Sequence, residues 1–152
     1  MLLACAHCSC PNYWTSFEGS CYTLIQNPST WAEAEEICKD FDGFLVEISS
    51  SGENNFIKSF VKNKGLSVRA VWLGGNDLLS EANWMWSHSK LNLDFTNWAP
   101  GQPDNAKHAE NCFELVHAAT ATQTAGRFPG LRRMSDHNVR NISTGLESDP
   151  ED

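Results

Sequence analysis

The chain lacks the features that would assign it to a membrane or a nucleic acid. It has no apolar run of about 18 residues, the length at which a membrane-spanning helix is considered, so no segment is predicted to cross a bilayer. Basic residues are few: 11 Lys and Arg stand against 19 Asp and Glu, for a formal net charge of −8. Because nucleic-acid phosphates are bound by an excess of Lys and Arg, this charge argues against a nucleic-acid partner.

The common sequence signatures of enzymes are also missing. No G-x-S-x-G, P-loop or G-x-G-x-x-G pattern occurs, so the sequence offers no nucleophile elbow, phosphate loop or dinucleotide fingerprint. Its histidines do not show the H-E-x-x-H spacing of zinc proteases. We therefore expect a binding protein and not an enzyme.

Aromatic residues and cysteines are plentiful by contrast. With 152 residues, 41% hydrophobic and including six Trp and eight Phe, the chain is long enough for one domain with a substantial core. Six cysteines favour an oxidising compartment. Residues 1–9 resemble the remnant of a secretory signal, so we expect a secreted, extracellular protein. Cys5 and Cys8 have the spacing of a thiol redox centre, but no βαβ pattern surrounds them, and the signal remnant is the better interpretation.

Two helices have clear start signals. Thr30 and Glu33 form a capping box ahead of apolar residues at helical spacing, and the run stops at Gly43. Ser50 and Glu53 open a second helix, which ends near Gly65. Short apolar runs predict strands over residues 21–25, 44–48, 71–74, 84–86 and 112–116. The mixture of segregated strands and helices predicts an α+β domain.

The character of the sequence changes at residue 118. Residues 118–152 contain few aromatics and no steady periodicity, and they scatter Gly and Pro among arginines and acids. Such a segment buries too little apolar surface to offset its ordering entropy. We expect residues 118–152 to form an unrelated, mostly disordered tail, produced either by a shifted reading frame or by an alternative exon.

A series of short segments resembles the C-type lectin-like domain, and within it the perlucin-like lectins of molluscs. They occur in family order over residues 10–117: Cys10-Pro11 leading to Cys21-Tyr22, the helix around Trp31 to Phe41, Val71-Trp72-Leu73-Gly74-Gly75, Trp84-Met85-Trp86, Thr96-Asn97-Trp98, Gln102-Pro103-Asp104 and Glu110-Asn111-Cys112. The resemblance implies an α+β lectin-like fold with two helices, two small antiparallel sheets and a long calcium-binding loop. The family's next element, a Trp-Asn-Asp strand followed by two cysteines, is replaced here, so we expect the last strand to be missing.

The triplet Gln102-Pro103-Asp104 is the most informative segment for function. An amide and a carboxylate on either side of a proline offer oxygen ligands to a hard cation such as Ca²⁺, which takes six to eight oxygens at about 2.3–2.6 Å. A cis bond before Pro103 would point both side chains the same way. The alternative is a solvated turn, which Pro, Asp and Asn explain on their own.

The resemblance extends this triplet to a set of ligands. It implies that Gln102, Asp104 and Glu110 bind the principal calcium and the sugar, together with an Asn-Asp pair on the missing strand. The positions that match an auxiliary calcium site in some members are Asp77, Glu81, Asn105, Asn111 and Glu110. Two of these are amides here, so a second ion is in doubt. Calcium is the cofactor that the resemblance implies.

The resemblance also indicates a class of sugar. The order of amide and acid around the proline decides which pair of hydroxyls fits, and the Gln-then-Asp order resembles galactose-type members. The aromatic residue that strongly galactose-selective members place just after the triplet is absent from residues 105–108. We therefore expect loose specificity for glycans that end in galactose or N-acetylgalactosamine.

Two function classes follow. The first is a secreted, calcium-dependent galactose-type lectin in innate recognition or in the mineral matrix of a shell. The second is a lectin-like interaction or matrix protein that binds protein or a calcium carbonate mineral surface without sugar. The resemblance further implies a Cys10–Cys21 disulfide, and it implies that Cys38 and Cys112 have each lost their family partner.

Overall fold

The computed structural model describes residues 10–26, 28–64, 70–106, 110–118, 121–122 and 139–145. The elements in them are β1 (Thr15–Phe17), β2 (Ser20–Ile25), α1 (Trp31–Lys39), β3 (Phe44–Leu45), α2 (Ser51–Asn63), β4 (Ala70–Asn76), β5 (Met85–Trp86), β6 (Cys112–Ala118), β7 (Ala121–Thr122) and β8 (Val139–Gly145). The predicted α+β class with two helices is confirmed. The signal remnant predicted for residues 1–9 lies outside the described residues.

Helix α1 begins where its capping residues predict. The Glu33 N–H donates to Thr30 Oγ1 at 3.3 Å, and the Thr30 N–H donates to the Glu33 carboxylate at 2.8 Å, which completes the capping box. Trp31, Ala34 and Cys38 are buried on one side. The Trp31 indole N–H also donates to the Leu73 carbonyl at 2.8 Å and so ties the helix to β4.

Helix α2 begins at the predicted cap residue, Ser50, but the Glu53 carboxylate does not complete a capping box. The Glu53 N–H donates to Ser50 Oγ at 3.1 Å. The Glu53 carboxylate does not return to the Ser50 backbone; it accepts from the N–H of Ser49 at 2.8 Å and from the Tyr22 hydroxyl at 2.8 Å. This buried carboxylate therefore joins the helix start to β2, a tertiary role that the local pattern does not reveal.

The strands form two small antiparallel groups joined through β8. One contains β1, β2, β3 and β8, and the other contains β4, β5, β6 and β7. The link is a parallel pairing of β8 with β4, which gives the continuous order β1-β2-β8-β4-β6-β7. Strand β3 is shorter than the predicted run of 44–48, because the chain leaves the sheet after Leu45. The predicted pair of antiparallel sheets is confirmed.

The tail differs from the sequence analysis at residues 139–145. This segment lies between β2 and β4, with Ile142 opposite Leu24 and Asn141 opposite both Ile25 and Trp72. Its β-branched residues suit a strand, and the backbone groups along β2 and β4 would lack these sheet partners without it. A strand from the tail thus stands beside β2, although the sequence analysis expects no final strand and a disordered segment here.

Strand β4 forms the centre of the core, with all seven residues buried. Its two glycines are required by close contacts. A Cβ at Gly74 would lie 2.7 Å from the Leu45 carbonyl oxygen, and a Cβ at Gly75 would lie 1.5 Å from the Phe113 ring. Glycine therefore lets β3 and the ring of Phe113 pack directly on the backbone of β4.

Candidate functional site

An aromatic cluster holds the start of the Gln102 segment against the core. The Trp98 ring lies 4.5 Å from Phe113 and 5.3 Å from Trp84, measured between centroids, and Trp84 stacks on Phe113 at 5.2 Å. Aromatic pairs at these separations add about 0.5–1.5 kcal/mol beyond the area that they bury. Trp98 is only four positions before Gln102, so this packing fixes where the loop leaves the core.

A tight turn then directs the chain into the triplet. The Gln102 N–H donates to the Ala99 carbonyl at 2.9 Å, with Pro100 and Gly101 between them. Gly101 has a φ of +84°, the left-handed conformation that the third position of a type II turn requires. The Gln102–Pro103 peptide bond is cis.

The side chains of Gln102 and Asp104 meet across Pro103. Gln102 Nε2 donates to Asp104 Oδ1 at 3.0 Å. The other end of the amide, Gln102 Oε1, is buried and finds no hydrogen-bond donor among the residues that the structure describes. Burying a carbonyl-type oxygen without a donor is costly, and a cation is one partner that would satisfy such an atom.

Glu110 joins this pair from the residues just before β6. A hydrogen bond between the Asp104 and Glu110 carboxyl groups is the main cause that lowers the pKa of Asp104 below its ordinary value, and burial opposes it. Asp104 is exposed whereas Glu110 is buried. The Glu110 carboxylate also accepts from the Ala106 N–H at 3.2 Å. The structure therefore brings the side chains of Gln102, Asp104 and Glu110 together, through the Gln102 amide nitrogen on Asp104 and the contact of Asp104 with Glu110.

The residues matched to an auxiliary cation lie beside this set and are linked to it. Asn105 donates through Nδ2 to Glu81 at 2.6 Å, and its Oδ1 accepts from the Glu110 N–H at 3.3 Å. The Asp77 N–H donates to the Asn111 carbonyl at 3.1 Å.

Asp77 itself is a buried carboxylate with one oxygen unsatisfied. Its Oδ2 accepts from the Ala82 N–H at 2.8 Å, while Oδ1 has no partner within the described part of the chain. Burial raises the pKa of Asp77, the hydrogen bond from Ala82 opposes this, and the charge of Glu81 adds to the rise. A nearby cation would stabilise the ionised form of such a carboxylate.

The candidate site combines an amide oxygen with carboxylates. In the described ranges, no group of three His, Cys, Asp or Glu residues is close enough to hold a metal ion on its own. The candidate site therefore depends on the amide oxygen of Gln102 as well as on the carboxylates of Asp104 and Glu110. Mixed amide and carboxylate oxygens are the ligand type that Ca²⁺ accepts, so the residues present fit a calcium ion.

The sequence matches a known family. A family profile described as the lectin C-type domain matches residues 27–127, and the chain belongs to this family. It is a family of carbohydrate-binding proteins and not of enzymes, as the sequence analysis expects. Within the described residues, no helix combines the length and the apolar character needed to cross a membrane.

Several relatives show how far the similarity extends. Echinoidin from Heliocidaris crassispina is 36% identical over 122 residues, which cover 72% of this chain and 82% of echinoidin. Perlucin from Haliotis laevigata is 37% identical over 70% of this chain and 67% of its own length. The galactose-specific lectin nattectin from Thalassophryne nattereri is 38% identical over 70% of this chain and 66% of its own. The predicted closeness to perlucin-like lectins is confirmed.

Solved structures support the same fold. The carbohydrate-recognition domain of cow CD23, crystallised in the presence of a GlcNAc2Man3 oligosaccharide, superposes with a TM-score of 0.75 at 27% identity. That match covers 93% of this chain and 98% of the cow domain. Human lithostathine superposes with a TM-score of 0.80 over 97% of both chains, and at 24% identity it speaks for the fold alone.

Sequence reasoning misses the residues that support the site. The roles of Trp84 and Phe113 in holding Trp98 depend on contacts between segments far apart in the chain. One signal was present, since Trp98 directly precedes the proline- and glycine-rich segment that leads to Gln102.

The disulfide implied by the family resemblance is formed, between Cys10 and Cys21. Cys38 and Cys112 are buried thiols.

Proposed function

We propose that this protein is a secreted, calcium-dependent lectin that binds glycans ending in galactose or N-acetylgalactosamine through Gln102, Asp104 and Glu110. The observation that carries the proposal is the meeting of the three side chains: Gln102 Nε2 donates to Asp104, Asp104 interacts with Glu110, and Gln102 Oε1 is buried without a donor among the described residues. A solvated turn would expose this atom to water. A cation ligand accounts for its position.

The protein's own side chains supply the sugar recognition. When calcium is bound, it would accept two neighbouring sugar hydroxyls in place of waters. Asp104 and Glu110 accept hydrogen bonds from those hydroxyls, and Gln102 Nε2 donates to them, because ionised carboxylates only accept and amides can donate. The Gln-then-Asp order supports galactose-type recognition, and the galactose-specific relative nattectin is consistent with this class.

Two further parts of the proposal rest on separate observations. The Cys10–Cys21 disulfide supports secretion, since disulfides persist in oxidising compartments. The buried, partly unsatisfied Asp77 and its neighbours Glu81 and Asn105 support an auxiliary cation beside the principal one.

The experiment is retention on immobilised galactose with and without a calcium chelator. The wild-type protein should be retained with calcium and released by the chelator. Asp104→Ala should abolish retention, because it removes a charged ligand that also receives a sugar hydroxyl. Asp40→Ala is the matched control: Asp40 is an exposed acid at the end of α1. Retention that persists in chelator, or in Asp104→Ala, would contradict the proposal.

A second function is supported by the acidic composition. The net charge of −8 and the similarity to perlucin fit a matrix protein that binds protein or calcium carbonate without sugar. The same assay separates the two functions. Adsorption to calcite that is equal in wild type and Asp104→Ala, with no retention on galactose, would favour the matrix protein.

A further inference from the structure

A second concave site lies outside the Gln102 set and shares no lining residue with it. It is a half-open cleft of about 260 Å³ between β2, residues 44–49, the start of α2, β5 and the loop of residues 89–94. Tyr22, Glu53 and Trp86 form a buried floor, and the residues of the 89–94 loop that line it are exposed. A volume just below that of typical drug-sized pockets suits a ligand of a few non-hydrogen atoms.

The floor of the cleft is hydrogen-bonded and includes the Glu53 carboxylate. The Glu53 carboxylate accepts from the Tyr22 hydroxyl at 2.8 Å, and through its other oxygen from the N–H of Ser49 at 2.8 Å and the Ser49 hydroxyl at 3.0 Å. Burial is the main cause that raises the pKa of Tyr22 well above its ordinary value, with a contribution from Glu53. Tyr22 therefore stays protonated, keeps donating to Glu53, and does not reduce the negative charge of the floor.

Two more carboxylates line the same cleft. Glu47 is held in place because its Oε1 accepts from the N–H groups of His88 and Ser89 at 2.8 and 2.9 Å. Asp94 lies on the exposed side. Neither these two residues nor Glu53 forms an ion pair with any described residue. The ammonium of Lys90, in the loop beside the cleft, donates to the Ser87 carbonyl instead.

The kinds of side chain that line the cleft indicate which cation it fits. In the described ranges, no three acids approach closely enough to coordinate a metal ion. The lining also includes the aromatic residues Tyr22, Phe44 and Trp86, and the Phe44 ring stacks on His88. Three carboxylates that form no metal-binding group, together with aromatic side chains lining a cleft of this volume, suit a larger cation with spread-out charge.

We infer that this cleft is a binding site for a small organic cation of the alkylammonium class, separate from the calcium and sugar site. The cation lies on the aromatic floor of Tyr22 and Trp86. Its positive charge is balanced by the carboxylates of Glu47, Glu53 and Asp94.

The test uses choline and its neutral carbon isostere, 3,3-dimethyl-1-butanol, on the full chain in calcium chelator, so that the Gln102 set does not contribute. Backbone amide shifts of Ser49, Ser89 and Asn92 are followed during titration. Choline should bind at least about tenfold more tightly than the isostere, because only the cation gains from the carboxylates and the ring faces. Equal shifts with both compounds, or no shifts at the cleft residues, would overturn the inference.

Charge-removing variants locate the site. The double variant Glu47→Gln, Asp94→Asn should weaken choline binding at least about tenfold, since two of three balancing charges are lost. The amide introduced by Glu47→Gln keeps an oxygen that can accept from His88 and Ser89, so the loop should remain folded. The control Asp40→Asn removes one exposed acid outside the cleft and should leave binding unchanged. If the double variant binds choline as well as the control does, the cleft is not the site.

Discussion

Gly75, whose backbone packs against the Phe113 ring, should be one of the positions in the protein least tolerant of substitution. A Cβ at Gly75 would lie 1.5, 2.0 and 2.6 Å from three carbons of the Phe113 ring, far inside van der Waals contact. The ring cannot move aside easily, because Trp84 and Trp98 pack against it with centroids 5.2 and 4.5 Å away. Gly75→Ala must therefore displace the aromatic cluster that holds the start of the Gln102 loop.

The expected loss of stability can be bounded from two directions. Overpacking a core normally costs about 1–3 kcal/mol, and losing a buried Phe costs about 3–5 kcal/mol. Because the added methyl group overlaps the ring itself, we expect Gly75→Ala to cost about 3–5 kcal/mol, close to the cost of Phe113→Ala. In the double variant Gly75→Ala, Phe113→Ala the methyl group has room, so the double should cost little more than Phe113→Ala alone.

Urea unfolding followed by tryptophan fluorescence measures these free energies of unfolding. Gly52→Ala is the matched control, because a Cβ there has ordinary contacts of 3.7 and 3.8 Å, and its effect should stay within about 1 kcal/mol. A cost for Gly75→Ala no larger than that for Gly52→Ala would contradict the predicted clash with the Phe113 ring. Independent addition of the costs of Gly75→Ala and Phe113→Ala would contradict it as well.

Three further predictions follow from contacts in the core and the site. Tyr22→Phe should destabilise the fold by about 1–3 kcal/mol in the same urea assay, because the buried Glu53 loses a donor. Cys112 should resist a thiol reagent in the native protein at pH 8 and react after unfolding. Burial is the main cause that raises the pKa of Cys112 to about 12, and the charges of Asp77 and Glu35 add to the rise. Rapid labelling of the native protein would contradict this. Exchanging the order of amide and acid with Gln102→Glu, Asp104→Asn should shift retention from galactose to mannose resin, and unchanged selectivity would show that the triplet does not choose the hydroxyl pair.

Features with local causes could be predicted from the sequence. Thr30 and Glu33 mark the start of α1 because the cap is made by residues three positions apart. Gln102 and Asp104 predict a cation site because their side-chain oxygens flank one proline. The family order of the segments adds Glu110, and the structure brings it to the same place.

Features assembled from distant segments could not be predicted. Strand β8 pairs Ile142 with Leu24, and a short strand within a Gly- and Pro-containing tail has no signal until its partners are known. Glu53 has the sequence signature of a capping box, but its carboxylate is taken by Tyr22 and Ser49. The second cleft draws its walls from five segments, so neither composition nor spacing reveals it.

Isothermal titration with calcium tests the central claim most directly, because it asks whether Gln102, Asp104 and Glu110 hold the ion. Wild type and the Asp40→Ala control should bind calcium weakly, in the range of about 0.1–1 mM typical of extracellular modules. Asp104→Ala should lose this binding while it keeps the wild-type urea midpoint, since Asp104 is exposed. Calcium binding of equal strength in Asp104→Ala and wild type would contradict the account.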